Sequence, residues 1–598
     1  VSPVSPARQS GLQLTLSLTA DGKAVDTDRI VSVETWSQAN RIPRARIILY
    51  DGEPDNGEFP FSEGSTFVPG TRIGIAAGYE GKSDRIHSGV VVRHAIRILP
   101  GGPAQLVVDT ADPLLKMTLS RHSAVTHKGS DASIIDALVQ ASEGNVGTNS
   151  ANKDKTEAFV HAHASDWDLM LLRAEASGCL VVVDDKKVDI IAPGDAAAPV
   201  LSLEYGDSII AFEAGADAAA LLADGAVKSR AWSYADQKVT EAGAGNTSIG
   251  VPGNFTAKKL AGVMDVTPFL QQTAAARAES ALTAWSSAAL MRAKLAQVTG
   301  TVSFQGSALA RPGTQVTLAN LGARFNGDVF VSGVRHLVRD GDWRTTAELG
   351  MAAESFASRD PRIVDPPAGG LAPPLRGLQT GQVKQVDTDP NGDFRVLVTL
   401  PLIDGENGIW ARLAQPYASK KFGWSFFPEV GDEVVLGFMN EDPASAVIIA
   451  SVYSNKLPAK YVPNKDNDVK SLTTRSLMEV NFNDKDIILK ISTPGGRIVT
   501  LDDKTGTVTV EDPNKNKLVM TKSSVDLIST AKLNIKSAAD MTIDCGANLT
   551  VTAKANCDVS ALNITGAAKA KLALEGAAQA SLKSSAIVEI QGALVKIN

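Results

Sequence analysis

The sequence predicts a mainly β, multidomain chain that ends in a trimeric, triangular β-helix needle. Three observations carry this. Short strand patterns separated by Gly, Pro and Asp recur along most of the chain, with a few helical stretches between them. Two polar or proline-rich linkers, 361–377 and 454–470, cut the pattern into three blocks: 1–360, 378–453 and 471–598. In the last block, apolar residues come in pairs two apart, and the pairs recur every eight residues.

The first block opens with β patterns: Leu12, Leu14, Leu16 and Leu18 alternate, followed by RARIILYDG, TRIGIAAGY, RIHSGVVVRHAIRIL and AQLVVDTAD. So many short strands between turns suggest a barrel or a sandwich. Helices follow at 130–142, with Ile134, Ile135, Leu138 and Val139 on one face, and at 165–177. The second has Ser165 as N-cap, Asp168 near a capping-box position and Gly178 as its stop. Strands return at CLVVVDD and VDIIAP. A second β region follows, interrupted by the Ala-rich, helix-favouring stretch 268–296. The block therefore reads as two β units joined by helical segments.

Block 378–453 carries five strand patterns, TGQVKQV, FRVLVTLP, IWARLAQP, DEVVLGFM and AVIIASVY, which is the size of an OB-type barrel. Strands of looser period then lead from Leu472 into the strict octads. Val525/Leu527, Leu533/Ile535, Met541/Ile543, Leu549/Val551 and Cys557/Val559 are five consecutive copies. The phase slips by one residue near Ile564, resumes as Leu572/Leu574, Ala580/Leu582 and Val588/Ile590, and slips again to give Val595/Ile597.

Spacing of two is one face of a strand, and the small polar residues between pairs suit turns. From Leu472 onward Phe482 is the single aromatic residue, so no ordinary globular core is available. Two apolar residues per octad are too few for one chain to enclose a core against its own entropy. Three chains around a common axis can do so, with Leu533, Ile535, Met541, Ile543, Leu549, Val551, Cys557 and Val559 as the trimer core. At about 4.8 Å per layer the tail spans on the order of 70 Å.

Bulk properties narrow the function. A net charge of −7 gives no general attraction to nucleic acid or anionic membranes. Three cysteines without CxxC spacing (Cys179, Cys545, Cys557) read as buried, reduced thiols of a protein assembled in the bacterial cytoplasm. The first residues lack the apolar core of a signal peptide, and no window reaches 18 uninterrupted apolar residues. HExxH, GxSxG and P-loop motifs are absent.

The run FFPEVGDEVVLGFMNEDPASAVIIASVY, with GIWARLAQPYA and FGW upstream, resembles the valine-glycine-repeat (VgrG) spike family of contractile injection systems and contractile phage tails. NRIPRARIILYDG and DPLLKMTLSRHS resemble the same family's N-terminal hub. The resemblance implies a tail hub of two β-barrel units, an OB-fold barrel and a β-helical spike. It implies a homotrimer that adapts a six-fold inner tube to a three-fold needle, seals the lumen and pierces the target envelope. The implied partners are tube and baseplate proteins at the hub and possible cargo effectors. A PAAR-repeat tip protein would dock at Leu594, Val595, Ile597 and Asn598. No enzyme, cofactor or nucleic-acid partner is implied, and a membrane is met only by piercing. A lysozyme module between barrel and needle, seen in some relatives, has no room in 454–470. An extracellular phage-tail-like particle suits the chain best; an unadorned type VI secretion spike is the second reading. The third is a phage baseplate hub with a cell-wall- or glycan-degrading role.

Sites are weighed against blander readings. The seven histidines are His87, His94, His122, His127, His161, His163 and His336; none lies in the needle, so a tip metal held by this chain's histidines is excluded. His161 and His163 in HAH are expected to share a strand face as two zinc ligands would, but a third ligand is missing and a surface or interdomain role is preferred. Cys557 falls on an inward pair position and is read as a small apolar filler. Lys532, Lys536, Lys554, Lys569, Lys571 and Lys583 read as a solvated face.

Overall fold

The computed structural model describes residues 3–6, 13–126, 129–156, 159–195, 198–233, 235–245, 247, 249–273, 275–359, 367–403 and 407–597. Leu12, the first residues of the 361–377 linker and Asn598 lie outside them. The chain forms two compact units, Val1–Val452 and Tyr453–Asn598.

In the first unit the two predicted β units are not separate sheets. One hydrogen-bonded path runs through both, and they meet where Ile30–Gln38 pairs antiparallel with Gly327–Arg339, from Gly333 opposite Gln38 to Arg339 opposite Ser32. Each side keeps its own core. Leu18, Ile47, Ile73, Ile75 and Leu106 fill the first; Leu203, Val302, Phe304, Val316 and Leu318 fill the second. Alternation along Arg44–Tyr50 explains the first: Ala45, Ile47 and Leu49 are buried while Arg44 and Arg46 face outward.

A small α/β lobe packs the helices Asp131–Ala141 and Asp166–Ala176 on the hairpin Leu180–Asp184 and Lys187–Ile191. The second helix start follows the predicted capping, and the first is capped by a serine in the same way. The Ser130 hydroxyl accepts from the Ser133 N–H at 3.2 Å in a capping box, and the Ser165 hydroxyl accepts from the Asp168 N–H at 3.0 Å. The helix expected over 268–296 is shorter, Glu279–Leu295. Phe269–Thr273 instead joins Val227–Ser233 as a parallel strand, so sheet pairing overrides the helical propensity of that stretch.

The five strand patterns of 378–453 close into a barrel: Gln379–Gln385, Val396–Thr399, Ile409–Leu413, Ala446–Ser451 and Glu433–Phe438 in spatial order. Val383, Val396, Val398, Ala411, Val434, Leu436 and Ile448 fill it. Gly381 is required by packing, because a Cβ there would lie 2.4 Å from Val398 Cγ1.

The second unit begins as a seven-stranded antiparallel meander from Val469–Thr473 to Val525–Ile528, each strand pairing with the next. The first octad pair belongs to its last strand, with Leu527 opposite Leu518. Beyond it, no strand is present among the described residues. The backbone bends at 530–531, 538–539, 546–547 and 554–555, an eight-residue beat, then at 562, 569–570, 577–578, 585–586 and 593. The shortened step between 562 and 570 falls where the apolar pairs slip in phase. No described helix is long and apolar enough to cross a membrane.

Candidate functional site

The octads supply the most extensive surface left uncovered by this fold. Every residue from Ala531 to Ile597 is exposed in the single chain, including all eight of the expected core positions. Leu533 is 50% exposed, Met541 57%, Leu549 61%, Ile535 63%, Ile543 66%, Val559 72% and Val551 74%. Cys557 is also exposed and carries a free thiol, as does Cys545; of the three cysteines only Cys179 is buried within one chain. The expected burial of the other two therefore needs further chains. Leu594, Val595 and Ile597 at the expected docking end are likewise exposed, and Asn598 lies outside the described residues. Solvent-facing Leu, Ile and Val thus recur at a fixed beat on backbone without strand partners, and both apolar area and hydrogen-bonding groups stay uncovered within one chain.

The hub carries a second cluster, which the sequence did not reveal. The hairpin between Leu180–Asp184 and Lys187–Ile191 turns through Asp185 and Lys186, both at positive φ (53° and 63°), as a two-residue type I′ turn requires. This turn reaches both β units. Asp185 accepts from Arg72, from Arg85 Nη1 at 2.7 Å and from the Ser88 hydroxyl at 2.9 Å. Asp184 accepts from Arg85 Nη2 at 2.9 Å and lies 3.5 Å from Arg311 of the second β region of the same compact unit. The Lys186 N–H donates to buried Asp112 at 2.9 Å, which fixes the turn from below. Asp-Asp-Lys-Lys between two apolar strands was a legible turn signal. Its arginine partners are too far away in sequence to be inferred.

Two histidines line the cleft of about 380 Å³ beside this turn. His87 Nε2 is 2.8 Å from Thr110 Oγ1, and His336 Nδ1 is 2.9 Å from Thr345 Oγ1. Burial is the main cause lowering their pKa values, to about 4 for His87 and about 3 for His336, with Arg85 and Arg311 respectively adding to the effect and Asp185 opposing it at His87. Both stay neutral when folded, whereas the unfolded chain takes up protons below about pH 6.5. The contribution of these two histidines to stability is therefore fully present above pH 6.5 and is lost as pH falls from there toward their folded values, by about 1.4 kcal/mol per pH unit for each. Thermal unfolding followed from pH 7.5 to 5 is expected to show the hub transition moving down by several degrees, and less in His336→Asn.

The remaining histidines have local partners. His94 sits between the Ser62 hydroxyl (2.8 Å from Nε2) and the Phe67 carbonyl (3.0 Å from Nδ1), tying a one-turn helix to the sheet. His161 and His163 do not share a strand face as expected. A register shift between His161 and Ala164, with His163 at φ 41°, turns His161 inward and leaves His163 exposed. His161 Nε2 is 2.9 Å from the Ala164 carbonyl oxygen. His127 and the side chain of His122 lie outside the described residues. No cluster of three metal-ligating side chains occurs among the described residues.

Two family models match the chain: the Alg8 N-terminal domain over residues 10–340, and the type VI secretion system/phage-baseplate injector OB domain over residues 379–453. Among curated proteins, the type VI secretion system spike proteins VgrG1a and VgrG1b of Pseudomonas aeruginosa are each 28% identical over 123 residues. The match covers 19% of this chain and 19% and 17% of theirs. The chain thus aligns with about a fifth of the length of the curated relatives it matches. Among solved structures, a 43 kDa tail protein of a Shewanella oneidensis prophage overlaps 57% of this chain and 98% of its own, at 10% identity and TM-score 0.43. An Escherichia coli component of the type VI secretion system overlaps 74% of this chain and 98% of its own, at 14% identity and TM-score 0.34.

Proposed function

Since the chain belongs to the Alg8 N-terminal domain family and is a VgrG-type spike protein, we propose that three copies wind their octads around one axis to form a needle. The hub of that trimer sits on the end of an inner tube. The observation that carries this reading is the eight-residue beat of exposed apolar pairs and bends from Ala531 to Ile597, which has no strand partner within one chain. Three chains supply what is missing: each extended segment gains a neighbour on either side, and the paired Leu, Ile and Val close a dry interior. Sedimentation of the purified full chain tests it, and a monomer overturns it.

In this reading the protein is structural and not an enzyme. The trimer is assembled in the bacterial cytoplasm, adapts a six-fold tube to three-fold symmetry, closes the lumen and carries the force of contraction to a point. Continuous inter-chain ladders make the needle stiff, because bending it must break hydrogen bonds in all three chains together. The exposed end with Leu594, Val595 and Ile597, followed by Asn598, offers a three-fold apolar platform for a PAAR-repeat tip protein. Deleting 589–598 is expected to leave trimers intact while abolishing co-purification of that protein. Retained tip binding would refute the docking assignment.

A further inference from the structure

We propose that an aromatic arm on the five-stranded barrel docks against an acidic loop of a second copy of this chain, a contact separate from the needle. The proposal rests on the three-copy reading above. The arm, residues 415–427, leaves the barrel between Ile409–Leu413 and Glu433–Phe438. It is a built element. Ala418 pairs with Gly423 and Ser419 with Phe422, the Trp424 N–H donates to the Tyr417 carbonyl at 2.8 Å, and Gln415 Nε2 donates to the Phe426 carbonyl at 2.9 Å. Gly423, at φ 133°, lets the two sides close: a Cβ there would lie 2.5 Å from the Tyr417 oxygen.

This ordered ribbon displays Tyr417, Phe422, Trp424, Phe426 and Phe427, each between 41% and 59% exposed. Tyr417 and Phe422 lie 5.8 Å apart and Trp424 and Phe426 5.4 Å apart, so they form two aromatic pairs on the arm. In a chain only 5% aromatic, five such residues between 417 and 427 are a local concentration. Half-exposed aromatics of ~200 Å² each leave roughly 500 Å² of apolar surface, more than half of the ~800 Å² that one side of a stable interface buries. This chain's own fold does not cover it.

Charge selects the occupant. Lys420 and Lys421 at the tip of the arm are exposed and make no ion pair among the described residues. The same barrel carries the complementary surface in the loop between Gln379–Gln385 and Val396–Thr399. There Asp387 and Asp393 are exposed beside Phe394, which is 81% exposed. Asp389 in that loop is already held by Arg395 at 2.6 Å, so the other two carboxylates set its charge. One chain thus presents two lysines beside aromatics and two carboxylates beside a bare phenyl ring. A second copy supplies each with the other, and such a head-to-side contact closes into a ring.

The test uses the full chain in a Cys545→Ser, Cys557→Ser background carrying the pair Lys421→Cys and Asp393→Cys. Oxidation is expected to yield covalent dimers and trimers on non-reducing gels, which neither single cysteine gives. As a second readout, Trp424→Ala with Phe426→Ala, and separately Lys420→Glu with Lys421→Glu, are expected to raise the concentration at which trimers dissociate at least tenfold. Adding Asp387→Lys and Asp393→Lys to the charge-reversed chain is expected to restore it. Trimers of normal strength without the cross-link, or an arm that instead binds anionic vesicles, overturn this proposal and leave the needle untouched. A monomeric parent chain overturns the three-copy reading itself, and this proposal with it.

Discussion

Ile543→Asp is expected to abolish SDS-resistant trimers of the full chain and to leave the hub folded. Ile543 belongs to a strict octad and is 66% exposed in one chain, so within a chain the substitution costs almost nothing. In a three-chain needle it acts three times at one level of the axis. Each copy loses the ~2–3 kcal/mol of a buried isoleucine, and three carboxylates meet in a dry interior, each at several kcal/mol. The sum, on the order of 10 kcal/mol or more per trimer, exceeds what neighbouring layers can absorb. Leu549→Asp is expected to behave the same way, whereas Lys554→Asp, between pairs, is expected to leave trimers intact. The measurement is gel mobility with and without boiling, alongside sedimentation. Persistence of resistant trimers in Ile543→Asp would show that this face does not line a shared interior.

Val434→Asp is expected to unfold the five-stranded barrel and to open the middle of the chain to proteases, with new cleavage inside 379–453. Val434 is 0% exposed and pairs with both Gly381 and Ser451, so it sits where the barrel closes. A carboxylate there has no cation among the residues of the barrel core, which are all apolar. The cost of ~3–5 kcal/mol is comparable to the whole stability of a domain this small. Because the needle is built by other residues, trimers are expected to survive on SDS gels, although losing the barrel's arm with its fold makes them dissociate at higher concentration. Limited proteolysis followed by mass measurement separates the outcomes; an intact, protease-resistant barrel would contradict the closed core.

Local signals decided a good deal. The Ser165 cap, the five barrel strands and the octads could all be read along the chain, because each depends on residues within a few positions of one another. The bends fall on the same eight-residue beat as the apolar pairs, and both shorten their step in the same place. Where neighbours in space are distant in sequence, reading failed. Phe269–Thr273 became a strand because Val227–Ser233 lay ready to pair with it. His161 and His163 parted because a bulge against the strand His122–Thr126 turned one inward.

By itself the sequence determined the β character of this protein, its resemblance to a spike family and the periodic apolar face that one chain leaves exposed. Only the tertiary structure decided that the two hub units share one hydrogen-bonded path, that the Asp184–Asp185 turn reaches arginines of both, and that an aromatic arm stands out from the barrel. The reason is physical. Periodicity and capping are properties of consecutive residues, whereas ion pairs such as Arg72 with Asp185 and strand junctions such as His336 opposite Thr35 exist only after the chain has returned on itself.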